Sequence, residues 1–198
     1  MTTQEKILRI ARLEFANNGL EGARVDRIAE NAGVNKAMIY YHFRSKDDLY
    51  QAVINEHMEQ IANFLQRNIM EAGEYDNLFL RISEFLHALL KDRKEFMPIM
   101  LREIASGGER IKTALTSLIS EKGITKSIRE IIEAGKNEGR FREIDSKQAI
   151  ISFLGMNIFY LILAPAINAV WEIEDEQDFR KRRPQAIADL FLHGLEIK

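Results

Sequence analysis

Residues 25–46 read VDRIAENAGVNKAMIYYHFRSK, and their spacing predicts two short helices joined by a tight turn, with a third helix starting at the end. Ile28 and Ala29 fall on one side of the first helix. Ile39 and Phe43, four apart, fall on one side of the second, so the two helices share a small core. In the linking Ala32-Gly33-Val34, Gly33 suits a left-handed residue that ends the first helix without a side-chain clash. Val34 then plugs the angle between the helices, and Asn35 caps the second. From Asn31 to Lys46 there is no acidic residue, while Lys36, Arg44 and Lys46 are basic and Tyr40, Tyr41 and His42 add hydrogen-bonding rings. That combination suits a helix laid in the major groove of DNA.

Residues 28–50, IAENAGVNKAMIYYHFRSKDDLY, resemble the DNA-binding signature of the TetR family of bacterial transcriptional regulators. The order is a small-residue turn, a recognition helix, Tyr-x-His-Phe, Ser-Lys, an acidic residue and Leu-Tyr. The resemblance runs from Ile7 to Tyr50, and beyond it the chain is similar to the family only in length and helical character. It implies an all-α subunit with a three-helix helix-turn-helix DNA-binding domain over residues 1–46 and a helical ligand-binding and dimerisation domain over residues 47–198. It also implies that Lys36, Ala37, Met38 and Tyr41 face bases and that Tyr40, His42 and Lys46 contact phosphates.

The chain departs from the family pattern at three places. Ala23 and Arg24 stand where Thr or Ser is usual, so a hydroxyl cap before the second helix is missing, and Arg24 is the replacement candidate for a charge-assisted phosphate contact. Ala37 stands where Gly is common, and Met38 where Thr or Ser is common. A methionine donates nothing to a base edge, so that position reads thymine methyls or shape.

The chain has 198 residues, 46% of them hydrophobic, enough for one large or two small domains with a sizeable core. Without cysteine it has neither disulfides nor a cysteine-based zinc site, which fits the reducing cytoplasm. The N-terminus, MTTQEKILRIARLEF, is charged and amphipathic and carries no secretion signal. A net charge of −2 argues against a generic nucleic-acid coat protein but is compatible with a small basic reading head on an acidic body.

Ile7, Leu8, Ala11 and Phe15 predict a first helix ended by Gly19, with Lys6 and Arg9 on its charged face. Ser45 and Asp48 form a capping box for a helix that Leu49, Val53, Met58, Ile61 and Leu65 carry to about Gly73, roughly 40 Å. Phe79, Ile82, Phe85, Leu86 and Leu89 mark another helix over 76–91, and Phe96–Ala105 a short one with Pro98 in its first turn, closed by Gly107 and Gly108. Residues 111–136 read as a helix kinked or split at Gly123 and ended by Gly139. The run from Gln148 to Trp171 has no charged residue and meets the length of a membrane span, yet it holds Gln148, Ser152, Asn157 and Asn168, and Pro165 breaks it. A helix buried between its own domain and a partner subunit is the preferred reading, with no membrane involved. The last helix is expected from about Asp178, with Ile187, Leu190, Phe191 and Leu195 on one face and Arg180 to Arg183 as a solvated basic cluster. By the resemblance, the last two long helices form a four-helix homodimer interface.

The four histidines are scattered and make no metal-binding pair, and no nucleophile elbow, phosphate loop or dinucleotide fingerprint is present, so neither a metal, a cofactor nor an enzyme activity is expected. Phe64, Phe85, Phe96, Met97, Met100, Phe153, Met156, Phe159 and Tyr160 are candidates to line an apolar cavity, with Glu103 and Asn157 as groups that orient a hydrophobic or amphipathic ligand. The resulting expectation is a repressor that binds a palindromic operator as a dimer and is released by such a ligand. Its rivals are a helical sensor or carrier without specific DNA binding and a ligand-independent architectural or cell-division factor.

Overall fold

The computed structural model describes residues 1–70, 75–92 and 95–196, with the backbone alone at 69–70, 75–76, 89–92 and 119–121. Gly73 and the side chain of Leu89 lie outside the described residues. Among those described, the chain forms ten helices and no strand; its single β-bridge pairs Phe141 with Glu196. Two compact units result. The first holds residues 1–63 and 93–121, the second 64–92 and 122–198, so the chain enters each unit twice.

In the first unit, α1 (Thr3–Gly22) opens with a capping box in which the Thr2 hydroxyl accepts from the Glu5 amide and the Glu5 carboxylate from the Thr2 amide. Ile7, Ala11 and Phe15 are buried as the spacing predicts, and Gly19 (φ 66°, ψ −179°) breaks the helix where expected. The break deprives the preceding carbonyls of helical donors. Arg102 supplies them: its Nη1 donates to the carbonyls of Phe15 (3.2 Å) and Ala16 (2.5 Å). Arg102 lies on α6 (Phe96–Ala105), which ends at the positive-φ residues Gly107 and Gly108, and α7 (Glu109–Glu121) follows. The first unit is completed by α2 (Val25–Ala32), α3 (Lys36–Phe43) and the start of α4 (Lys46–Met70), which the Ser45 hydroxyl caps by accepting from the Asp48 amide at 3.0 Å.

The second unit packs α5 (Tyr75–Asp92), α9 (Ser146–Val170) and α10 (Glu176–Leu195) around three rings. Phe79, Phe153 and Phe191 sit with centroids 4.8 to 5.2 Å apart, all of them buried. Each contributes on the order of 2 kcal/mol by burial. Helix α8 (Ile124–Asn137) is separated from α7 by Gly123 at φ 64°, so the predicted helix over 111–136 is split rather than kinked.

One expectation needs correction. Pro165 does not break α9: the proline ring removes one backbone bond and the helix continues to Val170. Helix α10 begins at Glu176, close to Asp178 as expected, and Asp175 caps it by accepting from the Asp178 amide at 2.9 Å. By length and composition α9 is apolar enough to cross a membrane. One of its faces holds the buried Ala149, Phe153, Asn157, Tyr160 and Ala164, while Ile151, Phe159 and Leu163 on another stay exposed in the single chain.

Gly135 on α8 gives a direct test of the packing. A Cβ there would stand 2.3 Å and 2.5 Å from carbons of the buried Phe141 ring. Alanine is the better helix former by about 1 kcal/mol, so without that contact Gly135→Ala would stabilise. The expected outcome is the opposite sign, a loss of about 1–3 kcal/mol in urea unfolding, with a smaller loss when Phe141→Ala is also present.

Candidate nucleic-acid interface and ligand cavities

The pair α2–α3 is built on the turn that the sequence marks. Gly33 adopts φ 65°, ψ 37°, and the following amide of Val34 bonds back to the Ala29 carbonyl at 3.0 Å, closing α2. The Asn35 carboxamide oxygen accepts from the Ala37 amide at 2.8 Å and starts α3. Ile28 and Ile39 are fully buried and Ala29 and Phe43 nearly so, which fixes the crossing. Lys36, Ala37, Met38, Tyr40 and Tyr41 are consequently turned outward, Tyr41 at 80% exposure.

Those side chains form a surface of the kind that lies against base edges: one cation, two phenols, and a small apolar step at Ala37 and Met38. Lys36 is paired with Asp26 at 2.8 Å, a hydrogen bond that raises its pKa and keeps it charged; both partners are exposed, so a phosphate or base edge exchanges with the carboxylate readily. His42 is half-buried with its ring edge-on to Tyr41. Lys46 serves a structural contact as well, its ammonium reaching the carbonyls of Glu21 (3.3 Å) and Ala23 (3.4 Å) at the end of α1.

Arg44, between α3 and α4, has φ 60°, ψ −46°, and the Ser45 amide bonds to the Phe43 carbonyl across it at 2.6 Å. This is a γ-turn of the strained hand, and it sets the direction in which α4 leaves the reading helix.

The missing hydroxyl at the start of α2 has a substitute that the sequence reading did not find. Arg24 is the N-cap and makes no side-chain cap bond. Instead the buried carboxylate of Glu14, on α1, accepts from the Arg24 amide at 3.0 Å and pairs with the Arg27 guanidinium at 3.3 Å. The signal was an acidic residue at a core position, seven residues after Ile7 and three after Ala11. Arg24 itself is exposed.

The eleven cavity candidates divide between the units. Phe96, Met97, Met100 and Glu103 belong to the first. Phe96 packs edge-on to His57 with centroids 4.7 Å apart, and Met100 is half-buried on the same helix. Glu103 is buried with Arg110 at 3.7 Å, while the same guanidinium binds Asp47 at 2.7 Å and lies 5.6 Å over the Tyr50 ring. Burial first, and then the Glu103 charge, push the Tyr50 phenol up. Glu103 thus has protein partners of its own.

In the second unit, Phe64 and Phe85 stack at 3.6 Å, 5° from parallel, and line a cavity of about 550 Å³ together with Arg67, Asn68, Arg81, Glu84 and Ala88. Met156 borders a smaller one of about 240 Å³ beside Ile144 and Phe191. Phe153 is core. Asn157 is fully buried and bonds back to the Phe153 carbonyl at 2.9 Å, and the Tyr160 hydroxyl donates to Asn168 at 3.0 Å. Among the described residues no group of acids and histidines is placed to hold a metal ion.

Residues 7–53 match the model of the tetR family of bacterial regulatory proteins, and residues 76–190 that of the tetracyclin repressor-like C-terminal domain. The chain belongs to the TetR family. This TetR-family chain is 27% identical over 200 residues to the transcriptional repressor NicS of Pseudomonas putida, spanning 98% of this chain and 92% of that one. It is also 27% identical over 174 residues to the transcriptional regulator RutR of Escherichia coli K12, spanning 84% and 77%. The fatty acid degradation regulator FadR of Bacillus halodurans shares its fold, with a TM-score of 0.74 at 19% identity over 97% of this chain and 99% of that one. The protein is a DNA-binding transcriptional regulator, all-helical, with an N-terminal helix-turn-helix and a C-terminal helical domain.

Removing the Glu14 carboxylate tests how the reading helices are held. Glu14→Ala is expected to lower stability by about 1 kcal/mol, the size of a lost helix cap, and to weaken DNA binding. Glu14→Gln, which keeps an oxygen for the Arg24 amide, recovers most of the loss in thermal unfolding.

Proposed function

We propose that the protein is a cytoplasmic, non-catalytic repressor that binds a palindromic operator as a homodimer and leaves it when a small hydrophobic or amphipathic molecule enters the second unit. The observation that carries the DNA half is the outward face of α3, held at one angle by the Gly33 turn. In this reading residues 1–46 read DNA and residues 47–198 dimerise and sense. Lys36, Ala37, Met38 and Tyr41 face bases; Arg24, Tyr40, His42 and Lys46 face phosphates. A dimer is required because one short helix touches too few base edges, whereas two heads on successive major grooves about 34–36 Å apart match a palindrome.

The dimer half rests on α9 and α10. Ile151, Phe159 and Leu163 on α9 and Leu190 on α10 are exposed apolar side chains, Phe159 at 60% and Leu190 at 65%. A second copy of the same pair of helices covers them in a four-helix arrangement, so the apolar length of α9 is matched to a subunit and not to lipid. An entering molecule changes operator affinity only by favouring one spacing of the paired heads over another, and α4, continuous from Lys46 to Met70, is the element that carries the difference.

Three substitutions test these assignments. Lys46→Ala is expected to weaken binding to all sequences alike and lower the salt slope by about one, while Tyr41→Ala changes which bases are preferred. Phe159→Glu is expected to convert a species of twice the 22.9 kDa chain mass into a monomer by light scattering, with specific DNA binding lost. A dimer unaffected by Phe159→Glu rules out this face.

A further inference from the structure

In the second unit a cavity of about 350 Å³ lies among α5, α9 and α10, lined by Glu84, His87, Ala88, Leu161, Gln177, Arg180, Lys181 and Pro184. It shares Glu84 and Ala88 with the larger cavity bordered by Phe64 and Phe85. Its walls are mixed in a particular way. Ala88, Leu161 and Pro184 are apolar, and the rest of the lining brings two cations against one carboxylate.

The basic cluster at 180–183 was expected to be a solvated face, and half of it is. Arg182 binds Asp178 at 2.6 Å on the exposed side of α10. Arg180 and Arg183 are only partly exposed, and the Nε atom of each is buried with no hydrogen-bond partner. His87, more than nine-tenths buried on α5, points the same way: its Nε2 is also buried without a partner. Arg180 and His87 both line the cavity, and unmade bonds on two polar groups of one cavity are uncommon in a folded chain and call for an acceptor from outside it. Burial first, and then the charges of Arg183 and Arg180, bring the His87 pKa down to about 4, so the ring is neutral at neutral pH and offers one N–H beside the cations.

We propose that this cavity is the effector site and that it takes a small organic acid, a single carboxylate carried on an apolar body. Arg180 and Lys181 hold the carboxylate and His87 completes its hydrogen bonds, while Ala88, Leu161 and Pro184 cover the apolar part. The Arg180 guanidinium is shared with Glu176, at 2.5 Å, and lies 5.9 Å over the Tyr160 ring, which fixes its plane and leaves donors free for a forked contact. Lys181 is exposed and among the described residues has no ion-pair partner, so its charge is available to the ligand. Glu84 at the shared rim repels a second negative charge, which selects a monoanion over a phosphate ester.

This assignment rests on the ligand-responsive reading above, and the test separates the two. Octanoate and phenylacetate are each titrated calorimetrically into the full-length dimer beside their primary amides, with wild type, Lys181→Met and Arg180→Met. At least one acid is expected to bind wild type, its amide about tenfold more weakly, and each substitution is expected to weaken the acid by about tenfold while leaving the amide unchanged. Lys181 is exposed, so its variant gives a readout even if Arg180→Met unfolds. Acid and amide bound alike, Lys181→Met without effect, or no heat from either acid at millimolar concentration overturns the proposal. The same acids are added to operator-bound protein: binding at the cavity with no change in operator affinity leaves the carboxylate site standing and overturns ligand-responsive repression.

Discussion

A single left-handed residue, Gly33, sets the geometry that everything at the DNA end depends on. With φ at 65° it lets α2 stop and α3 start within three residues, so that Ile28 and Ile39 meet in a core too small to tolerate a second crossing angle. Only glycine takes that backbone without cost. Because Ile39 and Phe43 face inward, Ala37, Met38 and Tyr41 on the opposite side of α3 have no choice but to face out, and Lys36 is exposed at its first position. The reading surface is therefore a consequence of the turn and of the apolar spacing, and its chemistry is whatever the sequence places on the remaining positions.

The turn alone does not hold the head in place. Three polar contacts between residues far apart in sequence do that: Glu14 at the start of α2, Arg102 under the broken end of α1, and Arg110 against Asp47 and Glu103. Each meets a group that the helices themselves leave unpaired or charged. The contacts of Arg102 and Arg110 explain why the compact unit around the reading helices includes residues 93–121, although the motif ends near residue 50. An effector-linked movement of α6 or α7 would act on the Arg102 and Arg110 contacts first, since they join those helices to α1 and to the first turn of α4.

Local signals made much of the fold legible. Glycines 19, 107, 108, 123 and 139, all at positive φ, end or divide helices where the sequence reading places them, and Asn35 and Ser45 cap the helices assigned to them. The family signature over residues 7–50 was equally clear, because turn chemistry and a short motif are contiguous. What stayed hidden was long-range or context-dependent. Nothing near Gly19 says that Arg102, more than eighty residues on, supplies the missing donor. Pro165 looked like a break because a proline costs one bond, yet a helix packed along its length accommodates it. The cavity residues were the least legible: aromatic and methionine spacing is the same for a core and for a lining, so Phe153 turned out to be core, whereas Phe64 and Phe85 border open space. The basic residues 180–183 read as surface because periodicity cannot show which side of α10 is roofed by α5.

Met38 and Ala37 give this member of the family an apolar step where a hydroxyl and a glycine are usual, and in the function proposed above the specificity of the regulator turns on it. Selection of random duplex DNA on the purified protein at near-physiological salt, followed by sequencing of the retained pool, measures that specificity directly. The predicted result is a palindrome of two matched half-sites whose centres lie one helical turn or a multiple of it apart, with thymine favoured opposite Met38. A retained pool with no shared sequence contradicts specific recognition by the α3 face.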